Sequence, residues 1–252
     1  MALLEAHDVT MKFGELIACD GVSFNVEKGS IVGLIGPNGA GKTTLFNCIS
    51  GHYKPSGGRI IFDGEDITGF KPYEIARKGA VRTFQVVRPL KDMTVFDNVL
   101  VGAFLYSKEN HIAFERAAEC IRLCKLEHFQ KKLAGELSIG GKKRLEMARA
   151  LATKPKLLML DEVMAGLTST EMKASIEVIK RLRDDGMTII IVEHVMEGIM
   201  PIADKIVVLD GGVKIAEDVP ESIVKNERVI EAYLGAKYSK SYKERKDDRT
   251  NG

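Results

Sequence analysis

A glycine-rich loop that ends in lysine and threonine is the segment of this sequence best suited to chemistry. Residues 36–43 read GPNGAGKT and match the pattern GxxxxGK[ST]. They follow an apolar run at 30–35 and precede a predicted helix at 44–50, which is the strand–loop–helix context that the pattern requires. Glycines let backbone N–H groups fold around an anion, and the following helix adds its positive end. The loop therefore predicts a binding site for nucleotide phosphates.

The residue types in this loop predict separate roles. Lys42 should reach the β- and γ-phosphates as a point charge, the Thr43 hydroxyl should bind Mg²⁺, and Thr44 can support a phosphate. The other predicted phosphate contacts are Gly36, Asn38, Gly39, Ala40 and Gly41. The alternative is a glycine-rich turn with a solvated lysine, and it is disfavoured because a chance match in the correct strand and helix context is rare.

Two adjacent carboxylates follow a second apolar run. Asp161 and Glu162 come directly after residues 157–160, at the expected C-terminal end of a buried parallel strand, where α/β sheets bind ligands. We predict that Asp161 holds Mg²⁺ through its water shell and that Glu162 polarises an attacking water. An Asp-Glu pair in this position is often only the start of a helix. The phosphate loop is what favours the catalytic interpretation.

Two weaker candidates end similar stretches of sequence. His194 follows an apolar run at 188–192 and could donate to a γ-phosphate oxygen or orient water, although a single histidine is more often structural. Gln85 ends a short apolar stretch and could place its amide oxygen on Mg²⁺ or on water. By itself, each residue is weak evidence of function.

The elements that must position these residues follow an α/β pattern. The continuous apolar runs predict parallel strands buried on both faces, and apolar spacings of three and four at 170–185 predict a crossover helix between two of them. Alternating apolar residues predict short antiparallel strands at 3–10, 16–18 and 22–26. Hairpin signals at 59–65 and 205–216 predict antiparallel ribbons that flank the main sheet. An all-helical insertion is predicted from helical patterns at 95–106, 112–126 and 142–151.

Composition excludes several classes of protein. The 252 residues are 45% hydrophobic and 29% charged, which is typical of a soluble globular protein with one large domain, with or without a subdomain. The formal net charge is +2, and residues 237–252 contribute six basic against three acidic side chains. The remaining chain is therefore almost neutral, which argues against sequence-independent nucleic-acid binding. The charged tail could touch acidic lipid, but its lack of apolar residues favours a disordered end.

Cysteine spacing and hydropathy indicate the cellular compartment of the protein. Cys19, Cys48, Cys120 and Cys124 are scattered and lack the spacing of a metal site, so we expect reduced, buried thiols. No apolar run is long enough to span a membrane, and the N-terminus lacks the pattern of a secretory signal. These features predict a cytoplasmic protein.

With these motifs in order, the chain resembles an ATP-binding subunit of an ABC transporter over about residues 3–234. The motifs match the family's order: Walker A at 36–43, the Q-loop at Gln85, the signature at 137–141, Walker B at 157–161 followed by Glu162, and the switch histidine at His194. Finer matches are typical of branched-chain amino acid importers: VRTFQ at 81–85, MTVFDNV at 93–99, AGL at 165–167 and VEH at 192–194.

The resemblance implies an α/β fold. This fold has a P-loop NTPase (RecA-like) core with a mainly parallel sheet, an N-terminal antiparallel β subdomain and an α-helical subdomain insertion. We expect one ATPase domain over residues 1–236, with its core at about 1–88 and 152–236 and the helical subdomain at about 89–151. Residues 237–252 would form the tail.

The resemblance also implies a function, with ATP and Mg²⁺ as ligands and several protein partners. The subunit would hydrolyse ATP to energise import of a branched-chain amino acid or a related small amide. It would pair head to tail with itself or a paralogue and bind transmembrane permease subunits through a groove near residues 85–97. A solute-binding protein would be an indirect partner, and nucleic acid would not be one. The subunit would lie on the inner face of the cell membrane.

Further site residues are carried over from the family. Ser138, Gly140 and Gly141 would contact the ATP bound by the opposite chain. Phe13 would stack on adenine, and the alternative for Phe13 is a place in the core of the small sheet. Residues 165–168 would form the D-loop between the two ATP sites.

Three positions depart from the family pattern: Val163 replaces a proline, Gly141 a glutamine and Val195 an acidic residue. None removes a phosphate, metal or water ligand, but Gly141 adds backbone freedom where the signature helix begins. An alternative function is therefore an ATP-binding switch or scaffold with weak hydrolysis. An ABC protein acting on ribosomes or DNA is disfavoured, because such proteins usually fuse two cassettes or carry long coiled-coil insertions.

Overall fold

Two β-sheets and a layer of helices form the described part of the chain, residues 1–84 and 87–234 of a computed structural model. The strands are β1 (Ala2–Phe13), β2 (Leu16–Glu27), β3 (Ile31–Ile35), β4 (Gly57–Phe62), β5 (Glu65–Asp66), β6 (Ala80–Arg82), β7 (Leu157–Asp161), β8 (Thr188–Val192), β9 (Lys205–Asp210) and β10 (Val213–Asp218). The α-helices are α1 (Lys42–Ile49), α2 (Pro72–Lys78), α3 (Val95–Tyr106), α4 (Asn110–Leu123), α5 (Ile139–Ala152), α6 (Ser169–Asp184), α7 (Met196–Ile199), α8 (Pro220–Ile223) and α9 (Glu227–Leu234). Gln85 and the tail at 237–252 lie outside the described residues.

The larger sheet has the strand order β10-β9-β3-β8-β7-β6. Its strands β9, β3, β8, β7 and β6 run parallel, and β10 is antiparallel to β9. Every residue of β3, β7 and β8 is buried, which confirms the prediction made from their continuous apolar runs. The carboxyl ends of these three strands therefore meet at one edge of the sheet, where the predicted site residues follow them.

The smaller sheet is antiparallel, in the order β2-β1-β4-β5. The hairpin predicted at 59–65 forms, but it pairs with β1 in this smaller sheet and does not flank the main one. The hairpin predicted at 205–216 also forms, yet its first strand pairs parallel with β3 inside the main sheet. The placement predicted for the first hairpin was therefore wrong, because turn residues fix a local hairpin and carry no information on which distant strand it joins. The second hairpin does lie at the edge of the main sheet, with β10 as the edge strand.

Side chains of the main sheet divide between two hydrophobic cores. Leu158 and Leu160 of β7 face the core shared with the helices, whereas Leu157 and Met159 face the core shared with α1 and the smaller sheet. Successive side chains of a strand point to opposite faces, so one apolar strand fills both cores. The main sheet is therefore covered on both faces, and this packing fixes the residues at the carboxyl ends of its strands.

The region between β6 and β7 is helical, as predicted. α3, α4 and α5 pack on one another, and the Thr94 hydroxyl begins α3 by accepting the Asp97 N–H at 3.0 Å. α5 begins at Ile139, three residues before the predicted start, so the signature glycines lie in its first turn.

All four cysteines are free and buried, in agreement with the prediction. In the described ranges no helix combines the length and the apolar character needed to cross a membrane.

Candidate functional site

The glycine-rich loop between β3 and α1 has a backbone that only glycine can supply at two positions. Gly36 has φ +152°, and a Cβ there would lie 2.1 Å from the carbonyl oxygen of Leu209. Gly41 has φ +96°, and a Cβ there would lie 2.4 Å from the carbonyl oxygen of Ala18. Both contacts are far below van der Waals distance, so any side chain would force the loop off its neighbours. The loop is therefore fixed by backbone packing against both sheets.

Lys42 is the first residue of α1 and is held by the loop itself. Its Nζ donates to the carbonyl oxygens of Gly36 at 2.7 Å and Pro37 at 2.8 Å, and only 7% of the residue is exposed. Burial lowers the pKa of Lys42, while the nearby Glu162 carboxylate acts in the opposite direction. The loop thus holds a cation among the N–H groups at the start of a helix, where anions are favoured.

A cavity of about 450 Å³ lies over the loop. Residues 39–44 form its floor, and residues 211–212 and Phe13 lie on its sides. Phe13 is 43% exposed, and its ring meets that of Tyr53 edge-on with centroids 5.3 Å apart. The aromatic ring therefore stands at the cavity and does not fill the core of the small sheet. The cavity has the size range of small-molecule sites.

Asp161 ends β7 and is buried next to a cation that the sequence analysis did not assign to the site. Its Oδ2 accepts from Nη2 of Arg82 at 2.7 Å, and Arg82 also donates to Asn47 at 2.5 Å and Ser50 at 3.0 Å. Burial raises the pKa of Asp161, and Arg82 partly offsets that rise. Arg82 therefore balances the charge of a carboxylate that burial would otherwise disfavour.

Thr43 and Asp161 could supply ligands to a magnesium ion shared with phosphates, in a cavity that Arg82, Arg88 and Arg149 also line. The Thr43 hydroxyl and the Asp161 carboxylate line one cavity, and both offer the oxygen ligands that Mg²⁺ prefers. Among residues 1–84 and 87–234, no group of three or more His, Cys, Asp or Glu side chains is arranged to hold a metal ion. One or two protein oxygens are nevertheless enough when substrate phosphates and water supply the rest.

Glu162 and His194 come together at the same sheet edge. Nδ1 of His194 lies 3.7 Å from Oε1 of Glu162, although the residues follow different strands. Glu162 has φ +48°, a left-handed conformation that is uncommon for residues other than glycine, and its N–H donates to the Val192 carbonyl at 2.9 Å. The chain thus leaves the extended conformation of β7 at Glu162, and this turn places the carboxylate near His194.

The signature residues begin α5 and lie apart from the cavity over the loop. Ser138 Oγ accepts the Gly141 N–H at 3.1 Å and donates to Oε1 of Glu171 at 3.1 Å. A Cβ at Gly140 would lie 2.5 Å from the same carboxylate oxygen, so a larger residue there would displace the Glu171 side chain. Within one chain, the structure therefore does not bring Ser138, Gly140 and Gly141 to the phosphate loop.

Comparison with known proteins identifies the family. The ABC transporter family matches residues 19–165, and a second family, the branched-chain amino acid ATP-binding cassette transporters, matches 213–239. The chain belongs to the ABC transporter ATP-binding family. It is an ABC ATPase subunit with a P-loop fold, and it binds nucleotide.

The curated relatives of this ABC ATPase are similar over nearly the whole chain. The high-affinity branched-chain amino acid transport ATP-binding protein BraF of Pseudomonas aeruginosa is 43% identical, with 92% of this chain and 98% of the relative covered. LivG of Escherichia coli, described in the same terms, is 42% identical with the same coverage. A probable LivG of Archaeoglobus fulgidus is 39% identical and covers 95% of this chain and 98% of its own length.

Solved structures match the fold of this ABC ATPase. The ADP conformation of the ATP-binding cassette MJ1267 has a TM-score of 0.85 and 35% identity, covering 93% of this chain and 99% of that chain. A dimeric post-hydrolysis state of the cassette MJ0796 with ADP and Pi has a TM-score of 0.77 and 26% identity, covering 86% of this chain and 98% of that chain. The predicted fold class and family are confirmed, and the roles of individual residues stay predictions.

Sequence reasoning missed three charged residues of this ABC ATPase site. Arg82 binds Asp161, while Lys143 and Glu193 contact the turn that follows Asp161. Each is a charged residue inside or beside an apolar element, which is the one signal that marks it in the sequence. The partners lie up to 79 positions away, so only the fold reveals the pairs.

Proposed function

We propose that this ABC ATPase subunit hydrolyses Mg-ATP at the edge of the main sheet and thereby energises import of a branched-chain amino acid or a related small amide. The observation that carries the reaction site is the approach of Glu162 and His194, 3.7 Å apart, beside the loop that holds Lys42. The solute class rests on relatives that are named for high-affinity branched-chain amino acid transport.

Phosphate binding depends on the loop and on Lys42. The ammonium group and the N–H groups of α1 would bind the β- and γ-phosphates, with Thr44 as a further support, and the exposed ring of Phe13 would stack on the base. Thr43 and Asp161 would hold the Mg²⁺ ion, which would neutralise charge on the phosphates. Gln85 would contribute to the same ion from a position outside the described residues.

Water activation depends on Glu162. Its carboxylate would orient and polarise a water molecule for in-line attack, and His194 would donate to the γ-phosphate oxygen on which charge builds up. The left-handed turn at Glu162 supports this role, because it presents the side chain beyond the end of β7. Phosphoryl transfer to water needs no covalent intermediate, so positioning and charge neutralisation suffice.

Each ATP would be completed by a second subunit, either another copy of this chain or a paralogue. The contacting residues would be Ser138, Gly140 and Gly141, which start α5 away from their own chain's loop. Ser138 is exposed and would make the first contact, while the two glycines are buried behind it. The dimeric structure of the related cassette MJ0796 with ADP and Pi supports a paired arrangement. The γ-phosphate would bridge both chains and make closure of the pair depend on ATP.

Coupling to a permease would use the apolar side of α3. Val101, Phe104 and Leu105 of α3 are exposed, Leu105 at 79%, and Phe84 is exposed beside them. A groove of about 200 Å³ between α3, α5 and β6 adjoins these side chains. We propose that a cytoplasmic helix of a membrane permease docks there and holds the subunit on the inner face of the membrane. A solute-binding protein would be an indirect partner, and nucleic acid would not be one.

Replacement of Glu162 by glutamine tests the reaction site. Glu162→Gln should lower phosphate release from Mg-ATP by roughly a hundredfold or more, since a positioned general base contributes about 10²–10⁴. ATP affinity, measured by titration calorimetry, should stay within a few-fold of wild type. Glu197→Gln is the matched control, because Glu197 is exposed on α7. Wild-type turnover in Glu162→Gln contradicts the assignment.

The weak-hydrolysis alternative rested on the departures from the family pattern, and no structural observation favours it. Gly141 lies inside the first turn of α5, with its N–H bonded to Ser138. Val163 is buried in the helical core, and Val195 precedes α7. Nucleotide binding without any turnover by the wild-type chain would restore this alternative.

The solute is tested in the native organism. Deletion of the gene for this chain should reduce uptake of labelled leucine, and a plasmid copy should restore that uptake while the Glu162→Gln copy should not. Unchanged leucine uptake in the deletion strain contradicts the proposed solute class.

A further inference from the structure

A buried lysine of the signature helix contacts the turn that carries Glu162. Lys143 lies one turn inside α5 and is 9% exposed. Its Nζ donates to the carbonyl oxygen of Glu162 at 2.7 Å and to that of Ala165 at 2.6 Å. The lysine therefore closes a four-residue turn by bonding the carbonyl groups at both of its ends.

The same turn is held from its other side by a buried carboxylate. Glu193 is fully buried, and its Oε1 accepts the N–H of Met164 at 2.7 Å. Its Oε2 accepts the N–H of His194 at 3.3 Å. The Lys143 ammonium thus donates to carbonyl groups of the turn, and the Glu193 carboxylate accepts from a backbone N–H of the same turn. Hydrogen bonds of this kind, in which one partner is charged, are stronger than those between neutral groups.

This arrangement has a consequence for Glu162, because its backbone is strained. A residue other than glycine at φ +48° persists only where the surroundings fix it. The bond from Lys143 to the Glu162 carbonyl lies next to the strained torsion, and Glu193 links the same turn to the backbone of His194. The two charged side chains therefore fix the backbone of Glu162, the proposed water-polarising residue, relative to the backbone of its neighbour His194.

We propose that Lys143 is a positioning residue for hydrolysis, which acts with Glu193 to fix the Glu162 turn and to connect it to the signature helix. Ser138, which would contact the partner's ATP, and Lys143 lie on the same helix, less than two turns apart. A shift of α5 on contact with that ATP would move the Glu162 carbonyl through Lys143. The inference rests on the proposed role of Glu162 and deepens it.

Burial acts against the charge of both side chains, and their contacts oppose that effect. Burial lowers the pKa of Lys143, and the nearby carboxylates of Glu193, Glu162 and Glu146 oppose that change. Burial likewise raises the pKa of Glu193, and its hydrogen bonds from backbone N–H groups oppose the rise. The charge of Lys143 is therefore supported by neighbouring carboxylates, and that of Glu193 by backbone N–H groups that include the Met164 N–H of the turn.

The test is the Lys143→Met variant of the full chain, which keeps the length of the side chain and removes its charge and donors. The kcat for Mg-ATP should fall about tenfold or more, since a misplacement near 1 Å can cost about a hundredfold. The KM for ATP and the affinity for ADP should stay within about twofold, because Lys143 does not line the cavity over the loop. Lys143→Arg keeps the charge and can donate to both carbonyl groups, so it should recover part of kcat, limited by the larger guanidinium in a buried site.

The controls separate this inference from the proposed function. Lys173→Met removes an exposed lysine of α6 and should leave kcat unchanged. If Glu162→Gln is inactive while Lys143→Met turns over like wild type, the inference fails and the proposed function stands. If Glu162→Gln turns over like wild type, the proposed role of Glu162 is wrong, and the inference about Lys143 that rests on it is wrong as well. Equal losses of kcat and nucleotide affinity in Lys143→Met, or no recovery by arginine, assign Lys143 a general structural role and overturn the proposal.

A second pair of variants decides the question if Lys143→Met does not fold. Glu193→Gln keeps an oxygen that can accept the Met164 N–H, whereas Glu193→Leu removes it. A turn held from both sides predicts that Glu193→Leu lowers kcat at constant KM and that Glu193→Gln lowers it much less. Equal kcat in the two folded variants overturns the proposal.

Discussion

At the residue scale, the Lys42 ammonium of the phosphate loop is held in position by the protein itself, without a ligand. Two of the three protons of the Lys42 ammonium are donated to carbonyl groups of its own loop, at 2.7 and 2.8 Å from Nζ. The side chain therefore loses little further conformational freedom when an anion arrives. Its charge is also buried, which strengthens its attraction for a phosphate.

Removal of this cation should weaken nucleotide binding more than it weakens the fold. For Lys42→Ala we expect a rise in the Kd for ATP of roughly ten- to a hundredfold, because a hydrogen bond to a charged group contributes about 1.5–3 kcal/mol. Titration calorimetry measures the change, and Lys173→Ala provides an exposed lysine control. An unchanged Kd would remove the basis of the phosphate-site assignment.

The site residues found by sequence were those with a local pattern. Lys42 and Asp161 are each marked by neighbouring residues, a glycine-rich loop in one case and an apolar run in the other. Arg82 carries no such mark, since its partners Asp161 and Asn47 come from other elements. A buried ion pair between distant segments depends on the tertiary fold, and periodicity in one segment cannot reveal it.

At the element scale, the apolar pattern of the sequence predicted the strands that carry the site. Short elements were not predicted. β7 and β8 match their apolar runs closely. β6 has three residues and α2 has seven, which are too few for a clear period. α5 starts earlier than predicted because the Ser138 hydroxyl caps it, and glycines in its first turn hid the start.

The turn between β4 and β5 connects the small sheet to the main core through one carboxylate. Asp63 accepts from Lys156 at 2.7 Å and from Lys28 at 2.9 Å, and these bonds lower its pKa to about 2. A lowered carboxyl pKa stabilises the fold fully above the unfolded value near 4, and that contribution is lost as the pH falls from about 4 towards 2.

Asp63→Asn should therefore produce a small drop in thermal stability at pH 7 that shrinks below pH 4. Thermal unfolding followed by circular dichroism from pH 7 to pH 3 measures the difference from wild type. Added salt should reduce the difference at pH 7, because the group is partly solvated and such pairs are screened. Asp20→Asn, an exposed aspartate, is the control. A difference that grows as the pH falls contradicts this linkage.

At the scale of the whole molecule, the two halves of the predicted ATP site lie on different layers. The phosphate loop and Glu162 belong to the main sheet, whereas Ser138 and Gly140 begin a helix of the helical layer. Under the proposed function, the phosphate loop would bind the chain's own nucleotide, and the start of α5 would contact the nucleotide of a second chain. In the proposed head-to-tail pair, each chain would complete the nucleotide site of the other.

Dimerisation should therefore depend on ATP. Glu162→Gln with Mg-ATP should sediment at twice the 27.8 kDa mass of the chain and return to the monomer when ATP is withdrawn. Gly140→Asp should prevent the dimer while ATP still binds, because position 140 lies outside the cavity over the loop and a side chain there meets Glu171. A monomer at saturating ATP contradicts self-pairing and leaves a paralogue as the partner.

The four interior cysteines leave the surface of the chain open to site-specific labelling. Burial raises the pKa of Cys19 to about 12 and those of Cys48 and Cys120 to about 11, and it raises that of Cys124 as well. Few thiolates then exist near neutral pH, and maleimide dyes react with thiolates. A cysteine introduced at the exposed Val213 would be the preferred point of attachment on the native background. Fluorescence energy transfer between two such dyes can follow the approach of two subunits in real time.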